Sequence, residues 1–518
     1  MVNNKQRIWG YAFAALLFIL IFVGLVALIV YDFDNPATLL GTILAIIVID
    51  FFFAAYIMAS QRYTIIKLCW VFVVLAFPMI GVIIFLIFGT TPFKRKEWNE
   101  YNKFQAHFIK HEKFYPRNQL PLTTEEYNVF SYVKNNSFRP IYKWNIIKII
   151  ANNSNLYKES IKLLLSAQDH IHIQMYIIND GFWWKTVQRI LIDKAKQGVK
   201  VRIIYDWVGC LNKLPKKDIK NLRKNGIEIV SFNPHGINVF KGSTNYRSHC
   251  KAIIVDNKKA IFGGSNIGDE YLSVSKNYNY FSDLNFMISG EIVNSLNLLF
   301  CQHYCFFSEI KKESKEFDEI YKNLNKILVP KKATNTTCCQ LVDSSPEYQG
   351  KSVKNSLVNL ILKANKSIDI VSPYFVPTED VLDALIIASR TGIKIRIIFP
   401  GKCDDKAFTR TINRSYYQRL LDAKIKIFEH NGFIHSKVLI IDNKIIFTGS
   451  FNLDYRSLWI NFENGLIIKD LKLANNLNKT FKSYLSNSVP IDKKLAAKYF
   501  NFWHKIQINL MEVFYPLL

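Results

Sequence analysis

The stretch 246–271, YRSHCKAIIVDNKKAIFGGSNIGDEY, and the stretch 433–455, FIHSKVLIIDNKIIFTGSFNLDY, decide how this chain is read. His249, Lys251, Asp256 and Asn266 of the first recur as His435, Lys437, Asp442 and Asn452 of the second, each 186 places on and without a gap. An echo of that length marks an internal duplication, and a duplication has to be settled before a fold is assigned.

Within each copy the apolar run reads as a strand, HCKAIIVD over 249–256 in the first. Side chains alternate along a strand, so His249 and Lys251 share a face, as do His435 and Lys437. Asp256 and Asp442 fall on the opposite face and read as anchors at the strand end. Cys250 also points away and reads as a small buried residue. DNKK then reads as a turn and AIF as the returning strand. GGSN ends the first hairpin, where glycine lets backbone approach a ligand closely. Ser265 and Asn266 are donors there, and TGSFN supplies Ser450 and Asn452 in the second copy.

Outward from the motifs the strand and helix patterns repeat as well. HIHIQMYII (170–178), KTVQRILIDKAKQG (185–198) and VKVRIIYDW (199–207) read as strand, helix and strand. KSIDIVSPYF (366–375), EDVLDALIIASRTG (379–392) and IKIRIIFPG (393–401) read the same way. That order implies parallel sheet with right-handed crossovers, and Gly198 and Gly392 sit where left-handed helix caps belong. The polar segment 308–350 reads as a helix and linker. The expected division is a membrane region 1–93, a basic connector 94–140, a first half 141–330, a second half 331–490 and an aromatic segment 491–518.

Half of the 518 residues are hydrophobic, and the formal net charge is +26. Residues 1–100 hold 7 Lys/Arg against 5 Asp/Glu, so the remaining 418 carry +24. Such a charge suits an anionic partner, either nucleic acid or an anionic membrane surface; an Ile-, Asn- and Lys-rich composition accounts for it equally. The eight cysteines show no metal-type CxxC pair and no disulfide framework.

Apolar spans are expected at about 8–31, 37–58 and 68–89. The first holds 24 residues without a charge, and as a helix it reaches ~36 Å, longer than a hydrocarbon core of ~30 Å. No small-residue cleavage site follows it and more apolar segments come after, which excludes a signal peptide. Pro78 and Gly81 interrupt the third. Lys5 and Arg7 favour a cytoplasmic N-terminus, and Arg62 and Lys67 a cytoplasmic second loop. Three full spans place the large domain outside, whereas Lys94, Arg95 and Lys96 argue for inside. Asp50 lies inside the second span, which makes it either a functional carboxylate or a residue near the bundle interior or the interface. The tail AAKYFNFWHKIQINLMEVFYPLL reads as an interfacial segment or a docking helix.

Two histidines, two lysines, two asparagines and two serines brought together suit a phosphoryl centre. Lysines neutralise nonbridging oxygens, amide and hydroxyl donors fix them, and no metal or other cofactor is required. One imidazole attacks phosphorus while the other protonates the departing oxygen and then deprotonates the incoming alcohol. Each imidazole needs a carboxylate to hold its tautomer. Asp283 in FSDLNF and Glu463 in NFENGL are the candidates.

The doubled HxKxxxxD motif, followed by GGSN or GSxN, resembles the phospholipase D superfamily. YFVPTEDVLDAL, GIKIRIIFPGKCDDK, NLDYRSLWINFE and NIGDEYL look like the bacterial cardiolipin synthases. Trp70, Pro78, Gly81 and Gly89 resemble the membrane segment that precedes their catalytic halves. The family's tryptophan before the first acidic residue is replaced here by the shifted aromatics of NYNYFSD. The resemblance implies an α/β chain: N-terminal transmembrane helices, then two pseudo-symmetric α/β/α halves sharing one active site. It implies a catalytic set of His249, Lys251, Asp256, His435, Lys437 and Asp442, with His249 as nucleophile and His435 as acid and base. It further implies phosphatidylglycerol as substrate, cardiolipin as product, an anionic bacterial membrane as location and no nucleic acid partner. A hydrolase with water as acceptor, a phosphatidylserine-forming transferase, a nuclease and a non-enzymatic lipid-binding scaffold are the competing readings.

Overall fold

The computed structural model describes residues 35–60, 64–89, 95–233, 246–272, 281–310, 314–322, 337–346, 351–402 and 408–499. The expected first span and most of the aromatic tail lie outside them. Contacts divide the chain into two units, one mainly residues 1–95 and the other mainly 96–232 with 247–512.

In the first unit the apolar run after Asn35 forms one helix, Pro36–Ala59, with the Asn35 side chain capping Ala37 N–H and proline at the first turn. Among the described residues it is the one helix long and apolar enough to cross a membrane, with mean hydropathy 2.4. The next apolar stretch is interrupted where Pro78 predicts. Thr64–Ala76 is helical, the chain breaks at Phe77–Met79, and helix resumes at Ile80–Ile84 before a π-turn at Phe85–Gly89. Met79 is left at φ 60°, and its N–H donates to the Asp50 carboxylate at 3.2 Å. Asp50 thus serves the broken helix by satisfying an amide that the break exposes. Gly81 is obligatory there, because a Cβ would stand 2.2 Å from the Val73 carbonyl oxygen. Trp70, Val73, Val74, Val82 and Phe85 close the core of this unit.

The second unit holds two sheets. The first takes β1 (Asn145–Ile150), β2 (His170–Met175), β3 (Lys200–Asp206), β4 (Glu228–Phe232), β5 (Ala252–Val255), β6 (Lys259–Gly263) and β8 (Asn285–Gly290), in the order β1-β8-β6-β5-β2-β3-β4. A two-residue strand, β7 (Phe281–Ser282), lies outside it. The second sheet takes β9 (Cys338–Ser344), β10 (Ser367–Val371), β12 (Lys394–Pro400), β13 (Lys426–His430), β15 (Val438–Ile441), β16 (Ile445–Gly449), β18 (Glu463–Lys469) and β19 (Ser488–Ile491). Its order, β19-β13-β12-β10-β15-β16-β18-β9, repeats the first sheet and adds one edge strand. The short strands β11 (Phe375–Val376), β14 (Phe433–Ile434) and β17 (Leu453–Asp454) lie outside it.

The expected parallel sheet is found only in part. β2, β3 and β4 are parallel, as are β10, β12 and β13, but each motif hairpin joins the sheet antiparallel. A tight hairpin turn cannot connect parallel neighbours. The segment read as helix and linker contains β9, whose CCQLVDS is almost wholly buried against β18. Seven residues of mixed polarity carry no strand period, so only tertiary pairing reveals that strand. Gly198 and Gly392 do cap their helices, at φ 89° and 98°.

In β2 the alternation has a use on both faces. Ile171, Ile173 and Met175 enter the core with Trp184, Val187 and Leu191 of the helix Phe182–Lys196. On the other face His172 stacks on Phe300 of the helix Ile292–Phe307, ring centroids 4.4 Å apart.

The connector is part of the fold. Arg139 is fully buried and grips Asp343 of β9 through Nε and Nη2 at 2.8 and 3.0 Å, and Glu112 through Nη1 at 3.3 Å. Ser295 and Tyr142 donate to the same Glu112. Residues before the first sheet thereby bind to strands and helices of both halves.

Candidate active site

The motif strands begin later than alternation predicts. β5 starts at Ala252 and β15 at Val438, so each histidine and lysine lies on an extended segment ahead of its strand. Those segments leave their own sheets to pair with the opposite half. Ser248 bridges Phe462 in parallel; Phe462 N–H donates to Arg247 O, and His249 N–H to Phe462 O, both at 2.8 Å. Likewise β14 runs parallel to β7, with His435 N–H on Ser282 O at 2.7 Å.

This exchange of backbone crosses the carboxylates. Glu463 follows Phe462 directly, and its carboxylate meets His249 Nδ1 at 3.0 and 3.1 Å. Asp283 follows Ser282, and its Oδ2 meets His435 Nδ1 at 2.7 Å. The acidic residue of each half therefore holds the histidine of the other, and neither half alone contains a complete pair. Fixing Nδ1 orients the ring and directs Nε2 to the reacting atom.

Each lysine folds back on its own histidine. Lys251 Nζ donates to His249 O at 2.7 Å and Lys437 Nζ to His435 O at 2.6 Å. Lys437 Nζ also stands 3.0 and 3.1 Å from the two ring nitrogens of His435. Histidines, lysines and carboxylates are all buried. Burial, with Lys437 beside it, pushes His435 down to about 3. Burial also lowers His249, with Glu463 opposing and Lys251 adding to the effect. Lys251 is brought down to about 7, chiefly by burial. For Glu463 burial acts upward, but His249, Lys251 and the Ser450 hydroxyl outweigh it and hold the carboxyl below its usual range. Burial thus disfavours the charged form of both imidazoles.

Several candidate residues work elsewhere. Asp256 and Asp442 stand at the far ends of β5 and β15, at φ 54° and 51°, and leave the catalytic set. The Asp256 carboxylate accepts from the amides of Gln168, Asp169 and His170, and Asp442 from Asn365, Lys366 and Ser367. Each binds its motif turn to the entry of the neighbouring strand, β2 or β10. Ser450 donates to Glu463 and holds that carboxylate, while Ser265 accepts from Asn285 Nδ2 at 2.8 Å. Both hydroxyls are hydrogen-bonded within the frame. Asn266 spans from Ile177 N–H to Tyr271 O–H, and Asn452 is buried with its N–H on Ser457 Oγ. The close approach that the glycines permit is internal too. A Cβ on Gly264 would lie 2.6 Å from Asp283 Oδ1, and one on Gly449 2.2 Å from Asn464 O.

Two tyrosines were legible only as parts of longer stretches. Tyr176 meets the His249 ring edge-on at 4.9 Å between centroids, and Tyr271 meets His435 at 5.8 Å. Phe281 and Phe433 complete the wall around His435 at 5.6 and 5.9 Å. Among the described residues no group of three or more His, Cys, Asp or Glu is arranged to hold a metal ion.

Residues 160–297 and 357–485 match the family described as cardiolipin synthase, PLD-like domain, and the chain belongs to that family. A cardiolipin synthase of Alkalihalophilus pseudofirmus is 31% identical over 528 residues, covering 99% of this chain and all of the relative. One from Halalkalibacterium halodurans is 32% identical over 437 residues, 83% of this chain and 84% of the relative. The crystal structure of phosphatidylserine synthase from Haemophilus influenzae Rd KW20 superposes with a TM-score of 0.56 at 14% identity, over 74% of this chain and 99% of that one. At that identity the likeness is one of fold.

Proposed function

We propose that this chain is a cardiolipin synthase of a bacterial cell membrane, transferring a phosphatidyl group from one phosphatidylglycerol to another. The observation that carries the proposal is the crossed pairing of two buried histidines with two carboxylates, flanked by two lysines. Near-full-length similarity to curated cardiolipin synthases supports it.

His249 Nε2 attacks phosphorus while Glu463 on Nδ1 stabilises the positive charge that develops on the ring. The bond from phosphorus to the glycerol oxygen breaks, and that oxygen takes a proton from His435. A phosphodiester anion offsets the burial and the Lys437 charge that hold His435 neutral, so substrate itself favours the protonated acid. Glycerol leaves. The terminal hydroxyl of a second phosphatidylglycerol then attacks phosphorus, its proton passes to His435, and the phosphorus–nitrogen bond breaks. One phosphodiester replaces another, so no nucleotide is consumed. The resemblance to the phospholipase D superfamily assigns the nucleophile's role to His249 and the acid–base role to His435. Lys251 and Lys437 balance the charge that grows on the nonbridging oxygens.

Several membrane passes are proposed, supported by the helix Pro36–Ala59 and the shorter apolar helix Ile66–Ala76. The two halves, 141–330 and 331–490, share this one site, and no nucleic acid partner is proposed. The test is lipid mass spectrometry after incubating the full chain in vesicles of pure phosphatidylglycerol. Cardiolipin with free glycerol is expected, and His249→Ala abolishes both. Phosphatidic acid as sole product would identify a hydrolase instead.

A further inference from the structure

We infer that Tyr101, His303 and Gln174 form a buried positioning relay for the reacting histidine, His249. Tyr101 lies on the connector helix Arg95–Ile109, outside the residues matched to the family. Its hydroxyl meets His303 Nε2 at 3.2 Å. His303 Nδ1 meets the Gln174 side chain, Nε2 at 3.0 Å and Oε1 at 3.3 Å. Gln174 Nε2 donates to Ser248 Oγ at 2.9 Å, and Ser248 immediately precedes His249. Tyr101, Gln174, Ser248 and His303 are 1–3% exposed. Four polar side chains joined end to end out of water hold one another in place, because a broken link leaves a buried group unsatisfied.

A second strand of the same support runs through Phe462. Its ring packs on Tyr101 and on His303, each at 5.7 Å between centroids. Its carbonyl receives His249 N–H, and the next residue is Glu463. Tyr101 and His303 therefore brace both members of the His249–Glu463 pair, one through Ser248 and the other through Phe462. Burial brings His303 down to about 4. The ring is neutral, and either neutral tautomer completes the chain from the tyrosine hydroxyl to the glutamine amide. The residues act through His249 and touch no substrate. Displacing a reacting group by ~1 Å costs about 10²-fold in rate, so a loosened relay is read in kcat.

The inference rests on His249 as the reacting group. The experiment measures kcat, KM and Tm for phosphatidyl transfer by the full chain in phosphatidylglycerol vesicles. Tyr101→Phe and Gln174→Leu remove hydrogen bonds and keep the volume. Each is expected to lower kcat by about tenfold with KM within about twofold. His303→Gln, which can still bridge its neighbours, is expected to retain clearly more kcat than His303→Leu. Phe306→Leu removes a ring that packs on Tyr101 at 5.3 Å and breaks no link of the relay; it is expected to lower Tm and leave kcat unchanged. Wild-type kcat in Tyr101→Phe and Gln174→Leu overturns the relay, as does equal kcat in the two His303 variants. So does a Phe306→Leu kcat that falls with Tm. A wild-type chain that neither transfers nor hydrolyses phosphatidylglycerol overturns the reading of the site itself.

Discussion

Asp283→Asn tests the crossed arrangement most directly. Asp283 belongs to the first half but faces His435 of the second, with Oδ2 2.7 Å from Nδ1. The substitution keeps the shape and one hydrogen-bonding oxygen and removes the charge. A unit charge ~4 Å from the imidazolium, at an effective dielectric constant of ~20, stabilises it by ~4 kcal/mol. The retained amide oxygen recovers part of that, so the expected loss is ~2–3 kcal/mol, or about 30- to 150-fold in kcat. The defect should be one of proton donation. Replacing glycerol in the donor lipid by p-nitrophenol, a leaving group that departs without a proton, should restore the first turnover, read as a burst of p-nitrophenolate. Glu463→Gln weakens the nucleophile instead, and the activated donor should not restore its burst. His435→Ala combined with Asp283→Asn should be little worse than His435→Ala alone, because both changes strike one proton donor. If Asp283→Asn keeps its full defect with the activated donor while Glu463→Gln loses its own, the two histidines have exchanged roles; a double variant far worse than His435→Ala alone breaks the crossed assignment.

Three further outcomes follow from the frame. Asp256→Ala strands amides of Gln168, Asp169 and His170 that now share one carboxylate, so stability in urea should fall by about 2–4 kcal/mol with KM unchanged, whereas Asp256→Asn, which tolerates the left-handed turn, should fall by less. Arg139→Met leaves Glu112 and Asp343 buried without their cation; a loss of about 3–5 kcal/mol is expected in thermal unfolding, and a stability equal to wild type refutes the clasp. Acid should destabilise the fold, since the unfolded chain takes up protons that buried His303 resists down to about 4. Stability should be full above the unfolded value of ~6.5 and fall between there and pH ~4, by up to about 3 kcal/mol for that ring, and a Tm flat from pH 7 to 5 would contradict it.

Much of the fold was legible because its signals are local. Strand, helix and strand over 170–207 and 366–401 show apolar periodicity, and Gly198 and Gly392 occupy left-handed caps that a few neighbours determine. β9 was not legible, because CCQLVDS takes its order from β18, more than a hundred residues later. The turn aspartates mislead for a related reason. Asp256 and Asp442 recur with the histidines as faithfully as the lysines do, but repetition preserves a turn anchor as readily as a reacting group.

By itself the sequence determined that the chain is duplicated, that its N-terminal region is rich in apolar stretches, and which side-chain types supply phosphoryl chemistry. Only the tertiary structure decided which carboxylate serves which histidine. His435 and Asp283 are 152 places apart and His249 and Glu463 are 214. No periodicity reaches that far. The pairs form when the segments ahead of β5 and β15 exchange backbone hydrogen bonds with the opposite half, and that exchange exists only once both sheets are folded together.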